Sequence, residues 1–316
     1  MSAAPSPKME TGIRCWGSVA PAPGGRLPDD LEPISEPLVG RRFRKIGRFI
    51  KLALSGAATC VRRSELERLP PERTGVFFGT GIGNTPDLSG FSEAVLGGPT
   101  EQVPSPIQFA HSIGNSGAFY VAQAFELSGP VLAISQEDVS FECALLAARD
   151  ALAFGDVDYA LVGGADVYCP DDAAQRQRMG LAPSSAVPLS EGSGWVLLER
   201  LAPTSAAVLG EVRVEQEDPR LALQRQCSVA EGGEPSALAI SARLAEGSPA
   251  LASAVPHARL MANRGAFPTE SAVALCAFLE ERAAAAGGLS DLFHSIGVSR
   301  DGFLGLVSAR WAGRAA

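Results

Sequence analysis

Histidine is scarce in this sequence, since the 316 residues include only His111, His257 and His294. The six cysteines are scattered without a C-x-x-C pair, which excludes a zinc or disulfide framework and suggests reduced cytosolic thiols. No apolar run approaches the roughly 18 residues of a membrane span, and the N-terminus lacks a signal pattern. The net charge of -8 argues against nucleic acid as a partner. We therefore expect a cytoplasmic protein without metal or cofactor that binds neither nucleic acid nor a membrane.

The stretch from Gly129 to Asp166 predicts one βαβ unit. A buried strand over Val131 to Ser135 leads into a helix over about Val139 to Phe154, and a second buried strand over Tyr159 to Val162 ends in two glycines. The helix is apolar on almost every face, so it has to lie inside the protein. We expect it to be sandwiched between two sheets, in a chain whose 46% hydrophobic content can form a large core.

This stretch resembles the nucleophile segment of the β-ketoacyl synthases, the condensing enzymes of the thiolase-like fold. In that family GP, a strand, a catalytic cysteine that opens the buried helix, and a strand ending in ALVGGAD follow at the spacing found here. The resemblance implies an α/β fold with two similar βαβ-rich halves, with buried helices between stacked sheets in α/β/α/β/α layers and a reduced second half. It also places Asp138 where the family has its nucleophilic cysteine.

Aspartate at this position changes the chemistry. A thiol that opens a helix has a lowered pKa and carries an acyl chain as a thioester, which a carboxylate cannot hold. The residues Ser135 to Asp138 are instead favourable for starting a helix. Cys143 is no replacement, because it lies about 7 Å further along the helix and roughly 140° round it. The favoured interpretation is a segment that keeps its fold and has lost its chemistry.

The second half of the chain lacks the two histidines that, in this family, polarise the malonyl thioester and stabilise its enolate. The N-x-G-H motif of one histidine aligns with Asn263-Arg-Gly-Ala266, so Ala266 occupies its position. The other histidine falls near residues 230–235, where the chain has none. Three catalytic positions are therefore lost together, while the glycine turns and buried strands are kept. We interpret this combination as a scaffold kept for another purpose.

A basic cluster opens an amphipathic helix that is predicted over Arg41 to about Arg63. Two interpretations are open. The cluster forms a solvated helix face, or it binds an acidic partner such as an acyl carrier protein. The second interpretation assigns a carrier-protein patch to Arg41, Arg44 and Arg48.

Further matches lie between residues 74 and 130. The string GVFFGTGIG has the glycines of a tight turn but lacks a G-x-G-x-x-G frame and a Walker lysine, so it predicts no nucleotide site. A short helix is predicted over Pro86 to Leu96, and Pro104 to Pro130 has the spacing of the family's interface helix. His111, in this stretch, is interpreted as structural. The resemblance assigns six residues to the tunnel end or the subunit interface, with ordinary interface packing as the alternative: Leu88, Phe91, Val95, Phe109, Asn115 and Phe119.

After Asp166 the chain is shorter than a full-length condensing enzyme, although the strand EGSGWVLLE at Glu191 to Glu199 is present. Residues Phe293 to Trp311 alternate like two antiparallel strands around a turn at Arg300 to Gly302. We expect a partly disordered N-terminal segment over 1–40, a ketosynthase-like half over 41–215 and a reduced C-terminal half over 216–316.

A condensing-enzyme fold without the cysteine and the histidines is similar to the chain-length factors, or ketosynthase β subunits, of type II polyketide and aryl-polyene systems. Those proteins pair with a catalytic ketosynthase α subunit and shape its tunnel. The resemblance implies a heterodimer, an acyl carrier protein as an indirect partner, and no independent condensing activity. Two alternatives stay open: a stand-alone acyl-thioester decarboxylase or hydrolase that uses Asp138 or Glu137, and a homodimeric scaffold or binding protein.

Overall fold

The computed structural model describes residues 9–23, 25–40, 43, 45–96, 103, 105–170, 172–228, 236–248, 251, 258–285 and 291–313. The strands are β1 (Thr11–Val19), β2 (Thr74–Gly79), β3 (Val131–Ile134), β4 (Tyr159–Asp166), β5 (Gly192–Arg200), β6 (Ala207–Glu215), β7 (Ser236–Ile240), β8 (Arg259–Leu260), β9 (Leu292–Val298) and β10 (Leu304–Trp311). The helices are α1 (Glu32–Val39), α2 (Arg48–Arg62), α3 (Thr85–Val95), α4 (Pro106–Ser112), α5 (Ser116–Ala124), α6 (Ser140–Phe154), α7 (Asp172–Arg178), α8 (Pro219–Ser228), α9 (Ala242–Gly247) and α10 (Glu270–Ala284). Among the described helices, none combines the length and apolar character needed to cross a membrane.

The strands form one sheet with the order β3-β2-β4-β5-β1-β6-β10-β9-β7-β8. Its two ends repeat one pattern. On one side β3, β2 and β4 are parallel and β5 joins them antiparallel; on the other side β8, β7 and β9 are parallel and β10 joins antiparallel. In the middle, β1 and β6 meet through a short antiparallel ladder at Thr11 to Ile13. The two similar halves of the predicted fold are therefore present, while the segment boundaries at residues 40 and 215 stay a prediction.

Two buried helices lie between the halves of the sheet. α6 contacts β2 and β4 of the first half and β6 and β10 of the second, and α10 contacts β5 and β1 on one side and β9 on the other. The sheet therefore bends at β1 and β6, so that its halves face each other across the helices. The prediction of a sandwiched apolar helix is confirmed, with the difference that hydrogen bonds join the two layers into one continuous sheet.

In the first half β2, β4 and β5 are buried on both faces, since helices cover both sides. In β2, Phe77 points toward the layer of α6, while Val76 and Phe78 point toward α2. Phe78 stacks on Trp195 of β5 with ring centroids 5.5 Å apart and meets Phe49 of α2 edge-on. This packing fixes the strand ends that carry the site.

The structure differs from the predicted elements in three places. α2 begins at Arg48 rather than Arg41, because Gly47 is extended and approaches Asp87 so closely that a Cβ would lie 2.2 Å from Oδ2. The predicted interface helix is two helices, α4 and α5, separated at residues 113–115. The N-terminal segment contains β1 in the sheet and α1, which ends at Gly40 with a left-handed φ of 74°.

Candidate functional site

Asp138 lies in a single 3-10 turn, Glu137–Val139, directly before α6. Ser140 fixes this turn, because its hydroxyl accepts a hydrogen bond from Gln136 N at 2.8 Å and donates one to Glu137 O at 2.7 Å. Glu137 has a left-handed φ of 47°, which is unusual for a residue with a side chain. The turn directs the Asp138 carboxylate into the interior, so that only 2% of the side chain is exposed.

The Asp138 carboxylate faces a buried arginine. Arg243 Nη2 lies 3.1 Å from Asp138 Oδ2, and the two side chains form an ion pair. Neither carboxylate oxygen accepts a well-aligned hydrogen bond from a described group. Burial raises the pKa of Asp138 to about 7; the Arg243 charge opposes this rise, while the charges of Glu137 and Asp166 add to it. Asp138 is therefore partly protonated at neutral pH.

Arg243, at the start of α9, is held on its other side by backbone carbonyls. Nε donates to Met179 O at 2.6 Å, and Nη2 donates to Arg178 O at 2.9 Å. Glu137 Oε2 lies 3.8 Å from Nη1 and accepts a hydrogen bond from Arg300 N at 2.7 Å. These contacts join the end of α7, the start of α9, the turn before α6 and the β9–β10 hairpin around one charge pair.

Two further carboxylates, the fully buried Glu142 and the half-buried Glu270, lie close to this turn. Burial raises the pKa of Glu142 on α6 to about 7, and the Ser271 hydroxyl partly opposes the rise. Burial also raises the pKa of Glu270 well above its ordinary value, opposed by Ala242 N, which donates to Glu270 Oε1 at 2.7 Å. The Ser271 hydroxyl is near Glu142, but neither Glu142 oxygen accepts a well-aligned hydrogen bond from a described group. This acidic cluster is not predictable from local sequence patterns, because it depends on how α6, α9 and α10 meet.

A small cavity lies beside Asp138, with Asn263 and Glu270 in its wall. Its volume of about 40 Å³ accommodates about one or two water molecules, far below the roughly 300–1,000 Å³ of small-molecule pockets. Ala266 is fully buried and packs among apolar side chains that include Met179. The expected histidine position is therefore filled by core packing. Residues 230–235 and His257 lie outside the described residues.

A sequence profile of the β-ketoacyl synthase N-terminal domain matches residues 20–203, more than half of the 316 residues. The chain belongs to the β-ketoacyl synthase family. The match contains β2 to β5, the Asp138 turn and α6, which together form the half that would carry the nucleophile. Among curated proteins, no sequence matches this β-ketoacyl synthase family member.

Three solved structures share the fold of this family member. "The ishigamide ketosynthase/chain length factor" has a TM-score of 0.76 at 21% identity and covers 96% of this chain and 100% of that chain. The complex AntDE:AntF, a type II PKS acyl-carrier protein with its ketosynthase bound to the hexaketide, has a TM-score of 0.72 at 12% identity. The match covers 96% of this chain and 100% of that chain. The PfaC keto synthase-chain length factor has a TM-score of 0.73 at 13% identity, covering 100% of this chain and 44% of that chain. These similarities establish the thiolase-like ketosynthase fold.

The interface residues predicted for this β-ketoacyl synthase-like chain lie on consecutive packed helices, since α3 contacts α4, α4 contacts α5, and α5 contacts β3. Four of these side chains are between 47% and 57% exposed: Leu88, Val95, Phe109 and Phe119. Phe91 is half-buried, with its ring centroid 5.5 Å from that of Phe109. Asn115 is exposed at the start of α5. The six residues therefore lie in one region of the molecule.

β3 continues this region as the outer strand of the sheet. Its Val131 and Leu132 side chains are 46% and 42% exposed. Within the described chain, β2 is the strand that pairs with it. The sequence predicted β3 as a buried strand, and the structure corrects this, because its other edge and part of its surface face outward.

Arg48 of the predicted carrier-protein patch is engaged inside the protein. Its Nε donates to Glu191 Oε2 at 2.8 Å, and its Nη1 donates to the carbonyls of Pro28 and Asp29 at 2.9 and 2.6 Å. Glu191 is itself buried. Arg48 is therefore a link between α2 and the start of β5. Arg41 and Arg44 lie outside the described residues.

Two other side chains of types that often take part in catalysis, Cys143 and His111, lie in packed surroundings. Cys143 is half-buried, and burial together with the Glu142 charge raises the pKa of its thiol, which makes it a poor nucleophile. His111 is buried, with Nε2 3.0 Å from the Tyr120 hydroxyl, and its backbone carbonyl accepts a hydrogen bond from Asn84.

Proposed function

We propose that this chain is a catalytically degenerate β-ketoacyl synthase-like subunit, a chain-length factor of type II polyketide or aryl-polyene biosynthesis. The observation that carries the proposal is the buried ion pair between Asp138 and Arg243, at the residue that the resemblance aligns with the family's nucleophile. A carboxylate there cannot carry an acyl chain as a thioester. Family membership and the shared fold with structures named as ketosynthase/chain length factors support the proposal.

The partner in this proposal is a catalytic ketosynthase α subunit. The exposed apolar side chains of α3 to α5 adjoin the open edge of β3, and both features favour association with another chain. A subunit of the same fold presents the same kind of edge, so the two sheets would continue into each other. A homodimer would use the same exposed apolar side chains and the same strand edge. The oligomeric state, measured with and without a ketosynthase, distinguishes a homodimer from a heterodimer.

The growing acyl chain would end in a surface concavity of about 320 Å³ beside this interface. Leu88 of α3, Gly114 and Asn115 before α5, and Ala133 of β3 lie in its wall. Small and polar side chains form most of the remaining lining, so the concavity has room for bulk to be added. We propose that its depth limits the length of the product made by the partner's active site.

Gly114→Phe tests this proposal. A Cβ at Gly114 meets no atom within 4 Å, so the backbone accepts a side chain there, and we expect the phenylalanine ring to occupy part of the concavity. We expect the complex with the ketosynthase to release shorter products, measured by mass spectrometry. Gly90→Phe is the matched control, because Gly90 has equally open surroundings but lies on another groove. An unchanged product length with Gly114→Phe, in an intact complex, contradicts the tunnel role.

For the carrier protein we propose contacts with Arg41 and Arg44, without Arg48. The acidic surface of a carrier protein would meet these arginines, and the attraction would fall as salt rises. Reversing both to Glu is expected to weaken carrier-protein association with the complex at low salt, while Arg68→Glu on an exposed site is not. Unchanged association after the double reversal contradicts this patch.

The alternative of a stand-alone thioester decarboxylase or hydrolase rests on the raised pKa of Asp138, which at about 7 suits a general acid or base. The cavity beside Asp138 has no room for a thioester, which favours the subunit proposal. Turnover of malonyl or acyl thioester by the isolated chain, lost in Asp138→Ala, is the result that would support the alternative.

A further inference from the structure

Arg243 lies between two spaces in the molecule. One is the small cavity, whose wall includes Asp138, Ser241 and Gly297. The other is a surface groove of about 1110 Å³ between α7 and α9, whose wall includes Arg243 and Val298. Gly297 and Val298 are consecutive, and Ser241 precedes Arg243 by two residues. The groove and the cavity therefore adjoin each other, with neighbouring residues of β9 and of the start of α9 lining one or the other.

The Arg243 guanidinium lies where the two spaces adjoin. It forms the ion pair with Asp138 on the cavity side, and it donates to the Met179 and Arg178 carbonyls at the end of α7. The side chain is 10% exposed. Because it is held from α7 and from the turn before α6, it cannot swing aside without losing the ion pair and both hydrogen bonds.

The alternative approach to Asp138 is narrow. The cavity also reaches the surface near Ala262 and Asn263, which are exposed. Its volume of about 40 Å³ admits water but no larger organic group. The groove has the volume of a small-molecule site. A ligand that approaches Asp138 would therefore come from the groove, and the Arg243 side chain would block it.

We propose that Arg243 seals the nucleophile position of this chain against ligands from the groove. The site is then closed as well as chemically altered, so that restoring a cysteine at position 138 would not by itself allow the chain to be acylated. This inference goes beyond the pairing role, because it concerns the isolated chain and holds with or without a partner.

Thiol labelling of Asp138→Cys tests the seal. The rates with N-ethylmaleimide and with the larger fluorescein maleimide are measured at residue 138 by peptide mass spectrometry, which separates this thiol from the six native cysteines. Arg243→Ala and Arg243→Met are each combined with Asp138→Cys. Both remove the charge, but only methionine keeps most of the side-chain volume.

We expect fluorescein maleimide to label the Arg243→Ala combination at least about tenfold faster than the Arg243→Met combination, which stays slow like Asp138→Cys alone. Arg300→Ala, which removes the exposed arginine beside Glu137, is the control and leaves the rate unchanged. Equal rates for the alanine and methionine combinations contradict the proposal. If Arg243→Ala does not fold, Asp138→Cys alone decides, since labelling of residue 138 by fluorescein maleimide as fast as in the urea-unfolded chain shows an open site.

Discussion

At the residue scale, Asp166 connects the parts of the site. Its carboxylate is fully buried at the end of β4 and accepts five hydrogen bonds. Oδ1 accepts from Thr80 Oγ1 and from Gly81 N and Ile82 N in the turn after β2, at 2.8 to 3.0 Å. Oδ2 accepts from Thr269 N and Oγ1 at 3.1 and 2.9 Å, just before α10. Asp166 therefore joins the two halves of the fold.

Asp166→Ala leaves all five donors without this acceptor in the interior. We expect a loss of about 3–5 kcal/mol in the free energy of unfolding, measured by urea denaturation, because buried donors then lack partners. Asp158→Ala is the control, since Asp158 forms an exposed ion pair with Arg73 and should cost much less. Equal losses for the two variants would contradict a connecting role for Asp166.

The sequence motifs identified some of these residues and missed others for a physical reason. GTG and GGAD marked the ends of β2 and β4, where Thr80 and Asp166 lie, because glycine turns and strand ends leave a local pattern. Arg243 left none. Its position opposite Asp138 depends on where the start of α9 meets the carbonyls at the end of α7, and α9 lies outside residues 20–203 that the family profile matches.

At the element scale, β3 is the part of the fold that an isolated chain leaves incomplete. The carbonyls of Pro130 and Ile134 accept hydrogen bonds from β2 at 2.8 and 3.0 Å. Because backbone groups alternate in direction along a strand, the N–H groups of Val131 and Ala133 point away from β2. The open edge therefore offers donors to a strand of another chain.

Ala133→Pro removes one of these outward N–H groups and keeps the pairing with β2. We expect the variant to fold, as judged by circular dichroism, and to lose at least about tenfold in affinity for the partner subunit. Ala133→Val is the control, because valine favours a strand and keeps the N–H. Wild-type association of a folded Ala133→Pro variant would show that the partner does not pair along this edge.

At the scale of the whole molecule, the buried acids set the dependence of stability on pH. The pKa values of Asp138 and Glu142 are raised to about 7 and that of Asp166 to about 6, in each case mainly by burial. The folded chain thus binds more protons than the unfolded chain between about pH 4 and 7, so stability falls as pH rises through this range. Burial lowers the pKa of His294 to about 4, which acts in the opposite direction.

Glu142→Gln should flatten this dependence. At pH 8 the wild-type carboxylate is ionised in the interior, so its neutral replacement is expected to stabilise the fold by about 1–3 kcal/mol. At pH 5 Glu142 is already protonated, so the difference should be small. Urea unfolding at both pH values measures this, with the exposed Glu67→Gln as control. A stabilisation that is the same at pH 5 and pH 8 would argue against titration of Glu142.

The overall architecture was largely predictable, because the all-round apolar α6 and the glycine-ended strands are local signals of a buried βαβ unit. The second half was harder to predict from sequence. β7 and β8 are short, and their place in the sheet is fixed by pairing with β9, which follows later in the chain. The joining of both layers through β1 and β6 likewise depends on contacts between residues far apart in sequence.

The most direct test of the proposed pairing is co-expression of this 32.8-kDa chain with ketosynthase subunits of the same genome, with the native mass of each complex compared with that of the chain alone. We expect a stable one-to-one complex with a catalytic ketosynthase, in which the condensing activity belongs to the partner's cysteine. A well-behaved homodimer that binds no ketosynthase would contradict it.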